Sequence, residues 1–183
     1  MVSNKRQSVM VRIFVVLCVG MTLFGGATSA LANRIVEFVP NAEKVGEATF
    51  SIMFFDIYTA SLWAPNGDYS RSGPFALQIN YLVDADADRI IGQTVKELSR
   101  QKAGTEAQLE KWKALMETHF VDLKENDVAN IVFTEAGTLT MWNNDGAPVE
   151  ITDRRFARVF MNIWLGKRAR DKEFQAELMG RAQ

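Results

Sequence analysis

His119 is the only histidine in this 183-residue chain, so any acid–base or nucleophile-activating chemistry built on imidazole has one place to start. It lies beside Phe120 among charged and amphipathic neighbours, the setting of an ordinary, partly exposed helix residue. A metal there would need carboxylates alone around it. Asp84, Asp86 and Asp88 have the alternate spacing of a calcium loop, but the sixth position lacks glycine and the twelfth is Val95 rather than glutamate. An Asp-rich helix start, favoured by the macrodipole, is the plainer expectation. Arg154, Arg155, Arg158, Lys167, Arg168 and Arg170 form a basic group that an anionic head group would suit. Opposite Phe156 and Phe160, however, these charges read as a solvated helix face. No GxGxxG, GxxxxGK or GxSxG motif occurs after residue 32, so neither a phosphate loop nor a nucleophile elbow is expected, and no cofactor.

The aromatic residues carry more information. Tyr58 and Tyr81 fall in strand-like runs, and Trp63, Trp112, Trp142 and Trp164 come from four separate elements. Most of these side chains must build a core. A cleft lined by such rings and by Met53, Met116 and Met141 would suit an elongated apolar ligand. A buried phenol seeks a hydrogen-bond partner, and a ligand carboxylate can supply it. Tyr58 is the expected polar contact, with Trp63, Tyr81 and Trp112 as walls. No catalytic residue and no metal ligand is expected.

These residues must be positioned by a domain whose compartment is written at its start. Lys5, Arg6 and Arg12 precede a short apolar run, Ile13 to Phe24. Gly25-Gly26 breaks it, and Ala30-Leu31-Ala32 supplies small residues for a signal peptidase. The run is short of the roughly 20 residues of a spanning helix. Residues 1–32 therefore read as a signal peptide cleaved after Ala32, and 33–183 as one exported, periplasmic domain with no stable membrane span. Loss of the three basic residues takes Lys+Arg from 21 to 18 against 22 Asp+Glu, a formal charge of −4. That balance argues against nucleic acid or an anionic membrane as partner. Cys18, the only cysteine, leaves with the signal, so no disulfide or thiolate metal site holds the mature domain. About 150 residues suffice for a single core.

Glu47 to Phe55 alternates, with Ala48, Phe50, Ile52 and Phe54 on one face, and Ile57 to Trp63 continues the strand period. Asn33 to Glu43 reads as an irregular or short extended lead-in with Val36 and Phe38 tucked in. Pro65-Asn66-Gly67-Asp68 is a turn, and Phe75 to Val83 is the cleanest strand. Asp86 is placed to cap a helix carrying Ile90, Ile91, Val95 and Leu98, which Gly104 ends. Thr105 and Gln108 form a capping box for a helix bearing Leu109, Trp112, Leu115, Met116 and Phe120. Val128 to Phe133 and Thr138 to Trp142 are strands. Asn144-Asp145-Gly146 signals a hairpin returning through Val149 to Ile151. Thr152 or Asp153 caps a helix with Phe156, Val159, Phe160, Ile163 and Trp164 at helical offsets. Asp171 to Met179 forms a last helix ending at Gly180. Strands, helices, strands, helices in that order predict an α+β domain with a mainly antiparallel sheet and helices on one face.

Phe55-Asp56-Ile57-Tyr58-Thr59-Ala60-Ser61-Leu62-Trp63-Ala64-Pro65 resembles a strand of bacterial exported chalcone isomerase-like proteins. Pro74 to Tyr81, Phe120 to Asp127 and Phe156 to Gly166, with Glu177-Leu178-Met179-Gly180, are similar to their later segments in the same order. The resemblance implies a large curved antiparallel sheet, a helical layer on one face and a ligand cleft between them. Plant enzymes of that fold close a flavanone ring with an arginine, a threonine, a tyrosine and an asparagine. By ungapped reading those positions fall near Gly46, on Tyr58, and near Ile90 and Glu97, and none is kept. Other members bind fatty acids. The resemblance therefore implies a non-catalytic protein holding a lipophilic small molecule such as a fatty acid. The alternatives are an intramolecular lyase or isomerase of unknown substrate, or a periplasmic protein-interaction module without ligand. The sequence names no protein partner.

Overall fold

The computed structural model describes residues 34–181. The signal-peptide reading of residues 1–32 lies outside the described residues. Six strands follow one another in space as in sequence: β1 (Ala42–Ile52), β2 (Phe55–Pro65), β3 (Phe75–Tyr81), β4 (Val128–Phe133), β5 (Leu139–Asn143) and β6 (Val149–Ile151). Every neighbouring pair is antiparallel. Four further elements among the described residues are helices: α1 (Ala87–Arg100), α2 (Glu106–His119), α3 (Arg154–Leu165) and α4 (Lys172–Leu178). The α+β expectation holds, with a wholly antiparallel sheet.

Strand alternation sorts the side chains onto two faces. Ala48, Ala60, Leu62, Phe75, Leu77, Ile79, Ile131 and Phe133 point to the helices and share one core with Leu98, Met116, Phe156, Phe160 and Leu178. The opposite face carries a smaller cluster, Ala76, Val132 and Trp142 with Ile35 and Val39. There the lead-in differs from expectation. Arg34 to Phe38 makes a helical turn, with Val39 N–H donating to the Ile35 carbonyl at 2.8 Å. Four-residue spacing buries Ile35 and Val39 and leaves Val36 exposed; Phe38 packs on Trp142.

The helix starts show how local chemistry sets boundaries. Asp153 and Asp171 each accept the third backbone amide of their helix at 2.9 Å, from Phe156 and Phe174, satisfying one orphan donor apiece. Thr105 accepts from Gln108 N–H at 3.4 Å. Asp86 occupies the cap position of α1 but its side chain makes no capping bond. Asp122, from the loop after α2, accepts the Ala87 amide instead at 2.8 Å. Asp84 accepts from Lys124 Nζ and the Glu125 amide, both at 3.0 Å, tying the two loops together.

Strand boundaries also move, and β3 ends at Tyr81 rather than Val83. β1 starts at Ala42 rather than Glu47, because a register shift between Lys44 and Gly46 interrupts the alternation that marks a strand. The run from Glu47 to Phe55 is broken by a two-residue hairpin at Met53 and Phe54, so Phe54 is in the turn and not on a strand face.

Candidate functional site

Register places Phe50, Tyr58 and Tyr81 in one row across β1, β2 and β3. Their rings form a continuous aromatic floor. Phe50 stacks on Tyr58 with centroids 5.1 Å apart, and Tyr58 leans toward Tyr81 at 6.1 Å. Phe174 of α4 stands edge-on over both Phe50 and Tyr58. Above this floor the helices part, and a cavity of about 460 Å³ opens. Ile90, Gln93 and Thr94 of α1 bound it on one side, and Ile163, Trp164 and Phe174 on the other. This size falls within the range of small-molecule sites, roughly 300–1,000 Å³. A second cavity of about 290 Å³ continues between β3–β6 and the end of α2. Tyr81, Ile90, Thr94 and Trp164 line both.

The polar groups of the larger cavity differ in how far they are committed. The Trp164 indole N–H donates to the Tyr58 hydroxyl oxygen at 3.0 Å. That bond uses an acceptor site of the phenol and leaves its O–H to donate elsewhere. Burial pushes the Tyr58 phenol above its ordinary value, and pushes Tyr81 up to about 12. Both are neutral O–H donors at ordinary pH, and neither donates to another described residue. Thr94, by contrast, donates to the Ile90 carbonyl of its own helix at 2.8 Å.

Glu97 is the buried carboxylate at the edge of this space. Burial alone would push its carboxyl up. Hydrogen bonds from Arg100, Gln101 and Arg170 outweigh that and hold it down at about 2. Arg100 Nε donates at 2.9 Å, Gln101 Nε2 at 3.0 Å and Arg170 at 3.1 Å. Glu97 therefore ties α1 to the loop before α4 and stays ionised, a poor proton donor.

The four residues expected to meet a ligand do not all converge. Tyr58 and Tyr81 line the larger cavity. Trp63 does not. It lies an odd number of residues from Tyr58, so it faces the other side of the sheet, beside the Ile35–Val39 cluster. Trp112 is fully buried; it packs against Phe156 at 6.1 Å, and its indole donates to the Asp153 cap at 3.3 Å. It braces α2 against α3 and reaches neither cavity. The sequence pattern did place Trp164 on an apolar helix face, but gave no sign that its N–H would reach Tyr58.

The remaining candidates fall elsewhere. His119 ends α2, half-buried, and lines the smaller cavity. The basic group is spread over structural contacts. Arg158 lies over the Phe133 ring at 4.5 Å, Arg155 lies over Trp112 at 5.6 Å, and Arg168 donates to the Gln101 carbonyl. At Gly46 an added Cβ would sit 2.3 Å from the Glu177 carbonyl oxygen and 2.7 Å from the Gly180 amide. The backbone of α4 and its end fills the space where the resemblance puts a catalytic arginine.

The model of the chalcone isomerase-like family matches residues 45–180. This chain belongs to that family. Among solved structures it is similar to a fatty-acid binding protein of Arabidopsis thaliana, at a TM-score of 0.58 and 9% identity. That match covers 77% of this chain and 88% of the other. At such identity the likeness is one of fold. No curated protein sequence matches the chain. As a chalcone isomerase-like chain it keeps the family's sheet and helical layer, with a cavity between them.

Proposed function

We propose that this chalcone isomerase-like protein is a non-catalytic carrier or sensor of a single lipophilic molecule with an oxygen-bearing end, such as a fatty acid. The observation that carries the proposal is the apolar cavity floored by Phe50, Tyr58 and Tyr81, in which two neutral phenols keep an O–H to donate. The ligand's carboxylate or carbonyl oxygen takes those donors, and its chain runs between Ile90 and Ile163. Binding draws on apolar burial at roughly 25 cal/mol per Å², less the cost of association. The fatty-acid binding by a protein of the same fold supports this reading. So does Gly46, whose surroundings admit no arginine. We place the protein in the periplasm, exported by residues 1–32 and cleaved after Ala32.

The test is a titration of the purified protein with a long-chain fatty acid, followed by calorimetry, for the wild type and for Tyr58→Phe with Tyr81→Phe. Saturable one-to-one binding that weakens about tenfold or more in the double variant is expected, one lost hydrogen bond to a charged group being worth about 1.5–3 kcal/mol. Unchanged affinity would remove the tyrosines from the site, and no binding by the wild type would remove the ligand class.

A further inference from the structure

The β1–β2 hairpin extends three residues beyond Tyr58, the last residue of β2 paired to β3, a reach of roughly 10 Å at 3.3 Å per residue. Its end is apolar and bare: Ile52 is 47% exposed, Met53 82%, Phe54 96% and Phe55 72%. A consecutive run of four large apolar side chains in water marks a contact surface. The turn is also strained. Met53 has φ +59°, in the first central position of a two-residue hairpin, where glycine is the usual occupant. A side chain there costs roughly 1–2 kcal/mol. Folding gains nothing from either feature.

The tip stands at the mouth of the larger cavity, because Ile52 at its base is part of that wall. Across the mouth α1 presents Arg89, Gln93 and Lys96, spaced to fall on one helix face. Of the acidic groups nearby, Glu97 is paired with Arg100 and Arg170, Asp84 with Lys124, Asp171 caps α4 and Asp56 accepts from the Ser51 hydroxyl, while Asp86 and Asp88 at the start of α1 form no ion pair among the described residues. Arg89 and Lys96 form no ion pair among the described residues. An apolar fingertip beside free cations is the combination that binds the interface of a bilayer containing anionic lipid. A negative whole-domain charge does not oppose this, since the attraction acts within a Debye length of about 10 Å.

We propose that the Ile52–Phe55 tip inserts into a lipid bilayer, with Arg89 and Lys96 against phospholipid phosphates, so that the cavity mouth opens onto the membrane. Docking itself needs no ligand. Only the consequence, exchange of a lipophilic molecule between bilayer and cavity, rests on the proposed function.

The experiment places a nitroxide label at Phe54→Cys, or at Asp68→Cys in the turn at the opposite end of β2, in the processed chain of residues 33–183, which carries no cysteine of its own. Label accessibility to oxygen and to a water-soluble nickel chelate is read with and without vesicles of phosphatidylcholine and phosphatidylglycerol. With vesicles, the label at position 54 should gain oxygen and lose nickel accessibility several-fold, while the label at position 68 stays in water. Nickel accessibility at position 54 unchanged by vesicles overturns the proposal. So does a label shielded from both reagents before vesicles are added, which would mean a protein surface covers the tip. In a second measurement, Met53→Asp with Phe54→Asp should slow fatty-acid transfer from vesicles at least tenfold and leave equilibrium affinity unchanged. Transfer at the wild-type rate also overturns the proposal. A wild type that inserts its tip but binds no fatty acid would instead sink the proposed function and leave docking intact.

Discussion

Trp164 and Tyr58, 106 residues apart, are joined by a 3.0 Å hydrogen bond from indole N–H to phenol oxygen. The bond fixes α3 to the second strand at the point where the two cavities share a wall. It also orients Tyr58 so that the phenol receives from the protein and gives to the cavity.

Tyr58→Phe should cost stability as well as affinity, because it leaves a part-buried indole N–H without an acceptor. Such a loss is worth roughly 1–3 kcal/mol. Trp164→Phe made on top of it should add less than it costs alone, since the partner is already gone. A double-mutant cycle by denaturant unfolding measures the coupling.

Gly46→Ala should be among the most damaging single-methyl changes in the protein. Its Cβ meets backbone atoms of Glu177, Leu178 and Gly180, the nearest at 2.3 Å, and backbone cannot rotate away as a side chain can. A loss of about 2–3 kcal/mol is expected from the overpacking, with the region around α4 losing hydrogen-exchange protection first.

Glu97 sets an acid limit. Its folded-state value is lowered from 4.5 to about 2, so the clasp contributes fully above about pH 4.5 and is lost as pH falls toward 2. The contribution is at most about 3 kcal/mol at 1.36 kcal/mol per unit. Unfolding free energy measured across that window should fall less steeply for Glu97→Gln than for the wild type.

Met53→Gly should stabilise the fold by about 1 kcal/mol, by relieving the positive φ at the hairpin tip. Thermal unfolding of the variant would show it as a melting temperature several degrees higher. A lower melting temperature would mean that the Met53 side chain makes a stabilising contact its exposure does not suggest.

The sequence exposed the parts of this architecture that follow a local period. Alternation from Phe75 and the cap at Asp153 mark elements that start where expected, though the strand ends at Tyr81 rather than Val83. The same alternation puts Trp63 opposite Tyr58, so its place outside the cavity was legible in the strand itself. Trp112 was not separable from a wall by its helical spacing, since a core ring and a cavity ring share one period. The hairpin at Met53-Phe54 carries no glycine or asparagine to announce it. The Trp164–Tyr58 and Glu97–Arg170 contacts depend on how distant elements meet, which no local pattern encodes.

The central claim is that the space above Tyr58 holds a lipophilic, oxygen-headed molecule. Native mass spectrometry of the protein purified from its native host, paired with thermal unfolding in added long-chain fatty acid, tests it most directly. The account expects a co-purified mass matching one such molecule. It also expects a melting temperature raised in step with about 2.7 kcal/mol of stabilisation at a hundredfold excess over Kd, with both effects reduced in Tyr58→Phe. A protein that carries no ligand and melts at the same temperature at every fatty-acid concentration would contradict it.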